Sequence, residues 1–565
     1  LEKSLKFATF SNSRYDIKFL KELLMKVTHR IISVSVLLIN LLLPGAVNGQ
    51  TVNFTSSNLP ILIIDTHGQE IENAYRITAD MGIIYNGPGQ RNYLNDPWNN
   101  YNGIISIEYR GSSSQMFPKK AFSVETVIAD GSNLNVSLLG MPRENDWVLH
   151  NPYSDKSLLR NVLACKLSND MGRYASRTRM CELVLNDEYQ GVYVIMEKVK
   201  RDRYRINIAE IDSDDIAGDS LTGGYILKID KLDGENIGGW QSDNNIFYQY
   251  HYPKPDRIQP EQAAYIQNYI EAFESMISSG DYRDSYLDFI DLDSFVDHFI
   301  LNEISKNIDA YRLSAFMYKD RESRDNRLIM GPIWDFNLAF GNANYYQGEL
   351  TSEWNLDHLL VACGYDFSVP YWWGIIRDDE EFLERLSYRW WTLRYGKYSS
   401  DKLIAFIDAM ADTLEEAQTR NFQKWPILDT YVWPNAFVGG TYQEEIDYMK
   451  DWLLDRVEWM DMMIDQLSGL EDGPEQRPGR LQLLQNYPNP FSRTTDIRFE
   501  VPVNGQVELS VYDLFGHKVA TLINEYRSAG SYTATFDASG LPGGMYIYSL
   551  QSGNCILSKK LLMVK

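Results

Sequence analysis

The chain changes character once, at Ser468 to Arg480 (SGLEDGPEQRPGR), where glycine, proline and charge interrupt an amphipathic pattern and short alternating strands take over. Such a break separates what folds together on either side of it. The 565 residues therefore read as a large body over 52–465, a linker over 466–482 and a small unit over 483–565. In that unit strands are expected at 496–501, 506–512, 518–523, 530–536, 544–551 and 556–564. Asn504-Gly505, Phe515-Gly516, Ala529-Gly530 and Pro542-Gly543-Gly544 mark turns between them. This spacing suits a small all-β, Ig-like sandwich.

With 44% hydrophobic and 23% charged residues, the chain is neither collagen-like, nor largely disordered, nor a polytopic membrane protein. Its net charge is −23, of which the first fifty residues carry +4 and residues 481–565 carry +1, leaving −28 on residues 51–480. Such a body repels phosphate backbones and anionic lipid, so no nucleic-acid partner is expected, and an anionic ligand needs a local basic site. The apolar run Ile31–Leu43 follows Lys26 and Arg30 and precedes Pro44-Gly45-Ala46, the pattern of a signal peptide over 25–49. The run is too short to span a bilayer comfortably, so no integral membrane segment is expected after processing. Residues 1–24, which precede the first methionine at Met25, read as an upstream extension. Four cysteines without CxxC spacing and seven histidines without HExxH indicate neither a disulfide framework nor a zinc site.

In the body, strands are expected at 58–66, 77–87 and 103–111, and the last enters RGSSSQMFPKKAFSVET (Arg110–Thr126). A turn of Gly and Ser flanked by Arg110, Lys119 and Lys120 can cradle phosphate oxygens, although the same residues fit an ordinary hairpin with solvated lysines. The spacing of Leu158, Leu159, Val162, Leu163 and Leu167 predicts a helix begun by Ser154 or Asp155 and ended by Gly172. A hairpin turning at Asp187-Glu188 comes next and ends in Glu197 and Lys198, then a strand carries Lys228. Lys200, Arg201, Arg203 and Arg205 form a basic run that fits ATP, an acidic substrate or a solvated loop.

A helix over 292–306 then delivers NIDAYRLS (Asn307–Ser314), two strands return, and WDFNLAFGNANY begins at Trp334. A hairpin brings its ends to one place, so Asp309 and Asp335 can share a site at its open end. Asp335 and Asn337 alternate around Phe336 as oxygen ligands suited to Mg²⁺ or Mn²⁺, and Asp309 can orient or deprotonate a hydroxyl. This is the equipment of phosphoryl transfer. The tryptophan-rich remainder to about 467 reads as helices, with the indoles in their core.

Residues from about Asn58 to Arg394 resemble the CotH kinase family, an atypical protein-kinase-like family. The resemblance is carried by RGSSSQMFPKKAFSVET, WVLHNPYSDKSLLRNVLA, NDEYQGVYVIMEKVKRDR, GGYILKID, NEISKNIDAYRLS and GPIWDFNLAFGN. It implies an α+β, two-lobed body with mixed sheets and a helical C-terminal lobe, acting as an ATP- and metal-dependent Ser/Thr protein kinase. Asp309 would be catalytic, and Asp335 would hold the metal with Asn337 or Asn307. Arg110 and Ser113 would lie at the phosphates with Lys120, or else Lys119. Glu197 would be the acidic partner, and Asp155, Arg160 and Lys228 are further candidates. No GxGxxGxV or HRD string exists, and WDFN stands where classical kinases have DFG. NYPNPF, VYDLFGHKV, LPGGMYIYSL and the terminal KKLLMVK resemble the type A sorting domain of the type IX secretion system of Bacteroidota. That implies export by the type IX machinery and a secreted or outer-membrane-attached body. Two other readings remain: a catalytically inactive binding or structural protein on the same scaffold, and a glycoside hydrolase using two carboxylates.

Overall fold

A computed structural model describes residues 51–565 except 74, 233–236, 280–285, 363–367, 468–481, 502–504, 514–515, 529, 553–554 and 565. The expected upstream extension, the signal peptide and most of the linker lie outside the described residues. The architecture is mixed, with sheets and helices in segregated stretches of chain, in keeping with the α+β expectation.

Seven strands form a closed barrel: β1 (Ile61–Asp65), β2 (Ile77–Ile84), β3 (Tyr101–Arg110), β4 (Ala121–Val127), β5 (Asp146–His150), β6 (Thr178–Leu185) and β7 (Glu188–Glu197), in the order β1-β2-β3-β4-β5-β7-β6. Neighbours are antiparallel except at the closure, where β1 pairs parallel with β6, Ile61 opposite Glu182. Closure leaves no unpaired edge. Because side chains alternate, Tyr193 and Ile195 of β7 point into the barrel core with Ile105 and Val124, while Val192, Val194 and Met196 belong to a second core outside it. A strand buried on both faces reads as an unbroken apolar run, as β7 does. The β6–β7 turn is Asn186-Asp187, both at positive φ (+50° and +63°), one residue earlier than expected.

Helix α1 (Arg160–Asp170) starts later than its apolar spacing suggests. The Asp155 carboxylate accepts the Arg160 N–H at 2.9 Å from an irregular segment, so Asp155 restrains the first turn without being part of it. The second sheet joins β8 (Tyr225–Ile229), β9 (Gly239–Gln241), β10 (Phe247–Tyr252), β11 (Ala315–Lys319) and β12 (Leu328–Met330) in the order β9-β10-β8-β11-β12. Between β10 and β11 runs α2 (Leu292–Ser305), and after β12 come further helices that include α3 (Ser400–Lys424) and α4 (Tyr442–Leu467). Helix α3 lies close on β7 at Gly191 (φ +98°), where an added Cβ would come within 2.5 Å of Asn421 Oδ1. The tryptophans Trp372, Trp373 and Trp390 are fully buried, the core placement expected for them.

The C-terminal unit has two sheets over one core of Phe491, Ile497, Leu509, Tyr548 and Leu561. They comprise β13 (Gln482–Leu483), β14 (Thr494–Val501), β15 (Gly505–Tyr512), β16 (Lys518–Arg527), β17 (Gly530–Asp537), β18 (Gly544–Ser552) and β19 (Cys555–Met563), ordered β13-β14-β17 and β16-β15-β18-β19. Cys165 and Cys181 are buried and free. Among the described residues no helix is long and apolar enough to cross a membrane.

Candidate active site

Asp309 is placed by α2 and the loop after it. The helix is capped by Asp291, whose carboxylate accepts the Ser294 N–H at 2.8 Å, and ends at Lys306 in the left-handed region. Beneath the loop the Tyr311 hydroxyl donates to Glu303 at 2.8 Å, and Glu303 is ion-paired at 3.0 Å with Arg456 of α4, both fully buried. The Asn307 side chain accepts the backbone N–H of Asp309 at 3.2 Å. Asp309 is thus carried by a loop pinned from below.

Asp335 comes after β12 and sits at φ +66°, a conformation that Asp tolerates and a β-branched residue does not. Two α1 side chains hold its loop. Asn161 Oδ1 accepts the Phe336 N–H at 2.6 Å, while Arg160 donates to the Ala339 carbonyl at 3.1 Å and to Asp155 at 2.6 Å. Arg160 therefore acts from behind the loop, and Asp155, which it engages, also borders the cleft. The Phe336 contact fixes the Asn161 amide with its nitrogen toward His150 Nε2, 3.0 Å away.

Asp309 and Asp335 line one cleft of about 320 Å³ together with Asn337, Arg110, Ser113 and Lys228. That volume lies within the range of small-molecule sites. The Arg110 guanidinium lies 5.2 Å from the Trp334 ring centroid, and Gly111 (φ +101°) makes the turn into Ser113. The Asp335 carboxyl is open to the cleft but surrounded by protein. Burial first, then the nearby Asp309 and Asp230 charges, push it up to about 6 against the opposing pull of Arg110. Asp309 is also raised, chiefly by burial, with Arg312 opposing. Burial lowers Arg110, and Asp335 opposes this. Burial pushes His150 down to about 4, keeping the imidazole neutral near neutral pH.

Two expected residues are not brought to the cleft. The Lys120 ammonium donates to the Gln115 carbonyl at 2.6 Å. Its alternative, Lys119, is buried against the Val192 carbonyl (2.6 Å) and Asn421 (2.9 Å), and burial lowers it to about 7. Glu197 is fully buried and engaged by Arg177 at 2.9 Å, with Arg205 at 3.7 Å. The reason is strand parity: Glu197 shares the face of Ile195, whereas Met196 and Lys198 reach the cleft. From the sequence, one or both of Glu197 and Lys198 are expected to face a cleft, and of the two only Lys198 lines it. Sequence reasoning misses Asp230, although its place in the strand segment that carries Lys228 is a usable signal; its carboxylate accepts from Lys228 at 3.0 Å and from the Ser314 N–H at 3.3 Å.

Among the described residues, no three His, Cys, Asp or Glu side chains converge as a ready-made metal cage. The oxygen donors Asp335, Asn337, Asp309 and Asp230 around one cleft nevertheless fit a hard cation of the Mg²⁺ type, which takes one or two carboxylates and completes its shell with water and substrate phosphates.

The profile described as "CotH kinase protein" matches residues 107–460, more than half of the chain, and the one described as "Secretion system C-terminal sorting domain" matches residues 485–565. No curated protein matches the chain. Among solved structures, the Pseudomonas fluorescens alkylpurine DNA glycosylase AlkC bound to DNA containing an abasic site analog is similar over 37% of this chain and 63% of that chain, at 10% identity and a TM-score of 0.12. The chain thus spans less than two thirds of that relative, and a score so low carries no argument.

Proposed function

Because the chain belongs to the CotH kinase protein family, we propose that its body is an exported kinase transferring the γ-phosphoryl group of ATP to a Ser or Thr hydroxyl of a protein. The observation carrying this reading is the convergence of Asp309 and Asp335 on one cleft whose other walls bear Arg110, Lys198 and Lys228. A barrel lobe and a helical lobe would meet there, with the body over 52–465 and the Ig-like sorting unit over 483–565.

In the proposed reaction the acceptor oxygen bonds to the γ-phosphorus as the bond to the β–γ bridging oxygen breaks, ADP leaves, and the hydroxyl proton passes to Asp309. The raised basicity of Asp309 suits that task. Arg110, Lys198 and Lys228 offset phosphate charge, and the Ser113 turn closes over it. Asp335 and Asn337 are the side chains that would hold Mg²⁺ or Mn²⁺. When bound, the cation would supply charge neutralisation for the transferring phosphoryl group. The sorting domain supports delivery by the type IX machinery to the surface or medium.

The test is intact-mass analysis of the full chain after incubation with ATP, Mn²⁺ or Mg²⁺ and casein, beside Asp335→Ala. A phosphate-sized gain absent from the variant supports the reading, and an AMP-sized gain changes the reaction. No gain, with an ATP-induced rise in melting temperature, favours an inactive nucleotide-binding protein.

A further inference from the structure

Beside the cleft lies a larger pocket of about 690 Å³, and both are lined by Lys198, Val199 and His251. The partition is thin: His251 Nε2 lies 3.0 Å from the Val199 carbonyl, and Lys198 reaches Asp146 of the larger pocket at 3.4 Å. The basic run singled out in the sequence divides here. Arg205 is buried over the Trp147 ring, whereas Lys200 and Arg201 line the pocket with Lys198, Lys254 and Arg257.

Against these five cations stand four carboxylates: Asp146, Glu210, Asp212 and Asp256. Asp146 is engaged by Lys200 at 2.6 Å and Glu210 by Arg201 at 2.8 Å. Lys254 and Arg257 make no side-chain hydrogen bond or ion pair among the described residues, although Asp256 contributes a field at Lys254. In a body carrying −28, which repels anions at long range, these two unpaired cations are a local basic site of the kind an anionic ligand needs.

The geometry points to a second binding site: the pocket of Lys254 and Arg257 receives an acidic segment of the acceptor polypeptide while its hydroxyl lies in the neighbouring cleft. The word acceptor rests on the kinase reading; the binding itself does not. Aspartate, glutamate and phosphoserine share the required chemistry.

Three fluorescently labelled peptides with one serine test this on the full chain: one flanked by Asp and Glu, its Asn and Gln counterpart, and one flanked by phosphoserine. Binding is read by anisotropy without nucleotide, and phosphorylation is read separately by mass. The acidic peptide is expected to bind at least about tenfold more tightly than the neutral one, to weaken as salt rises, and to lose that preference in the double variant K254E/R257E. Both side chains are exposed and unpaired, so the variant should keep the native melting temperature. Phosphoserine binding with Asp/Glu binding absent narrows the ligand to a phosphorylated segment. Equal binding of acidic and neutral peptides, or a preference that survives the double variant, overturns the site. Acidic-peptide binding without phosphate transfer keeps the site and sinks the kinase reading.

Discussion

Asn161 of α1 accepts the backbone N–H of Phe336 at 2.6 Å, so the residue after Asp335 is fastened to a helix 175 positions earlier in the chain. That bond, with Arg160 on the Ala339 carbonyl, holds Asp335 in its left-handed conformation. Asn161→Leu leaves the buried Phe336 N–H without a partner. It is expected to cost about 1–3 kcal/mol of stability and to weaken ATP·Mn²⁺ binding, while Asn161→Asp, which keeps an acceptor oxygen, recovers most of the binding. Calorimetric titration and melting curves of both variants check it; equal binding by Leu and Asp variants would show that the contact does not position Asp335.

Lys198 reaches the cleft, whereas the Lys120 ammonium is bound to the Gln115 carbonyl. Lys198→Met is expected to lower nucleotide affinity or turnover by about tenfold or more, because in the proposed reaction it removes a charge that offsets phosphate. Lys120→Met, which loses only a bond to the Gln115 carbonyl, should leave both within about twofold of the unsubstituted protein. The reverse order of effects would restore the expectation drawn from the sequence.

Asp335 links pH to stability and to binding with opposite signs. Its folded value of about 6 exceeds the ordinary 3.8, so between those values the folded chain holds a proton that the unfolded chain has released. Stability from this group is therefore present below the ordinary value and is lost as pH rises to about 6, while the carboxylate proposed to hold the cation ionises over the same interval. Asp335→Asn, which also tolerates the left-handed backbone, should melt no lower than the unsubstituted protein at neutral pH and bind ATP·Mn²⁺ at least about tenfold more weakly. A clear fall in its melting temperature would mean that the ionised carboxylate stabilises the fold.

Glu303 and Arg456 form a fully buried ion pair under the Asp309 loop. Arg456→Ala strands a carboxylate in the core and is expected to cost about 3–5 kcal/mol, read by chemical denaturation. Replacing both, with Glu303→Gln and Arg456→Met, should recover part of that loss. A single variant as stable as the parent would place the pair's charge outside the energetics of the fold.

Local signals located most of the elements. The alternation in GIISIEYRG and AFSVETV marks β3 and β4, and the i, i+3, i+4 spacing from Val296 marks α2. Asp309 and Asp335 were legible because a hairpin joins them. Barrel closure was not, because the parallel pairing of Ile61 with Glu182 spans 121 positions and leaves no local trace. Glu197 and Lys120 lie away from the cleft for different reasons: strand parity puts Glu197 with Ile195, where Arg177 and Arg205 reach it, and the Lys120 ammonium turns to the nearby Gln115 carbonyl.

The fastening of α4 to the loop beneath Asp309 also orders events in time. Arg456 lies eleven positions before Leu467, where the helix ends, so the Asp309 loop lacks its underside until nearly the whole body has left the ribosome. The same placement divides cleavage sites by consequence. A cut within 468–481 separates the C-terminal unit and spares the guanidinium, whereas a cut three helical turns earlier takes away the support beneath the Asp309 loop.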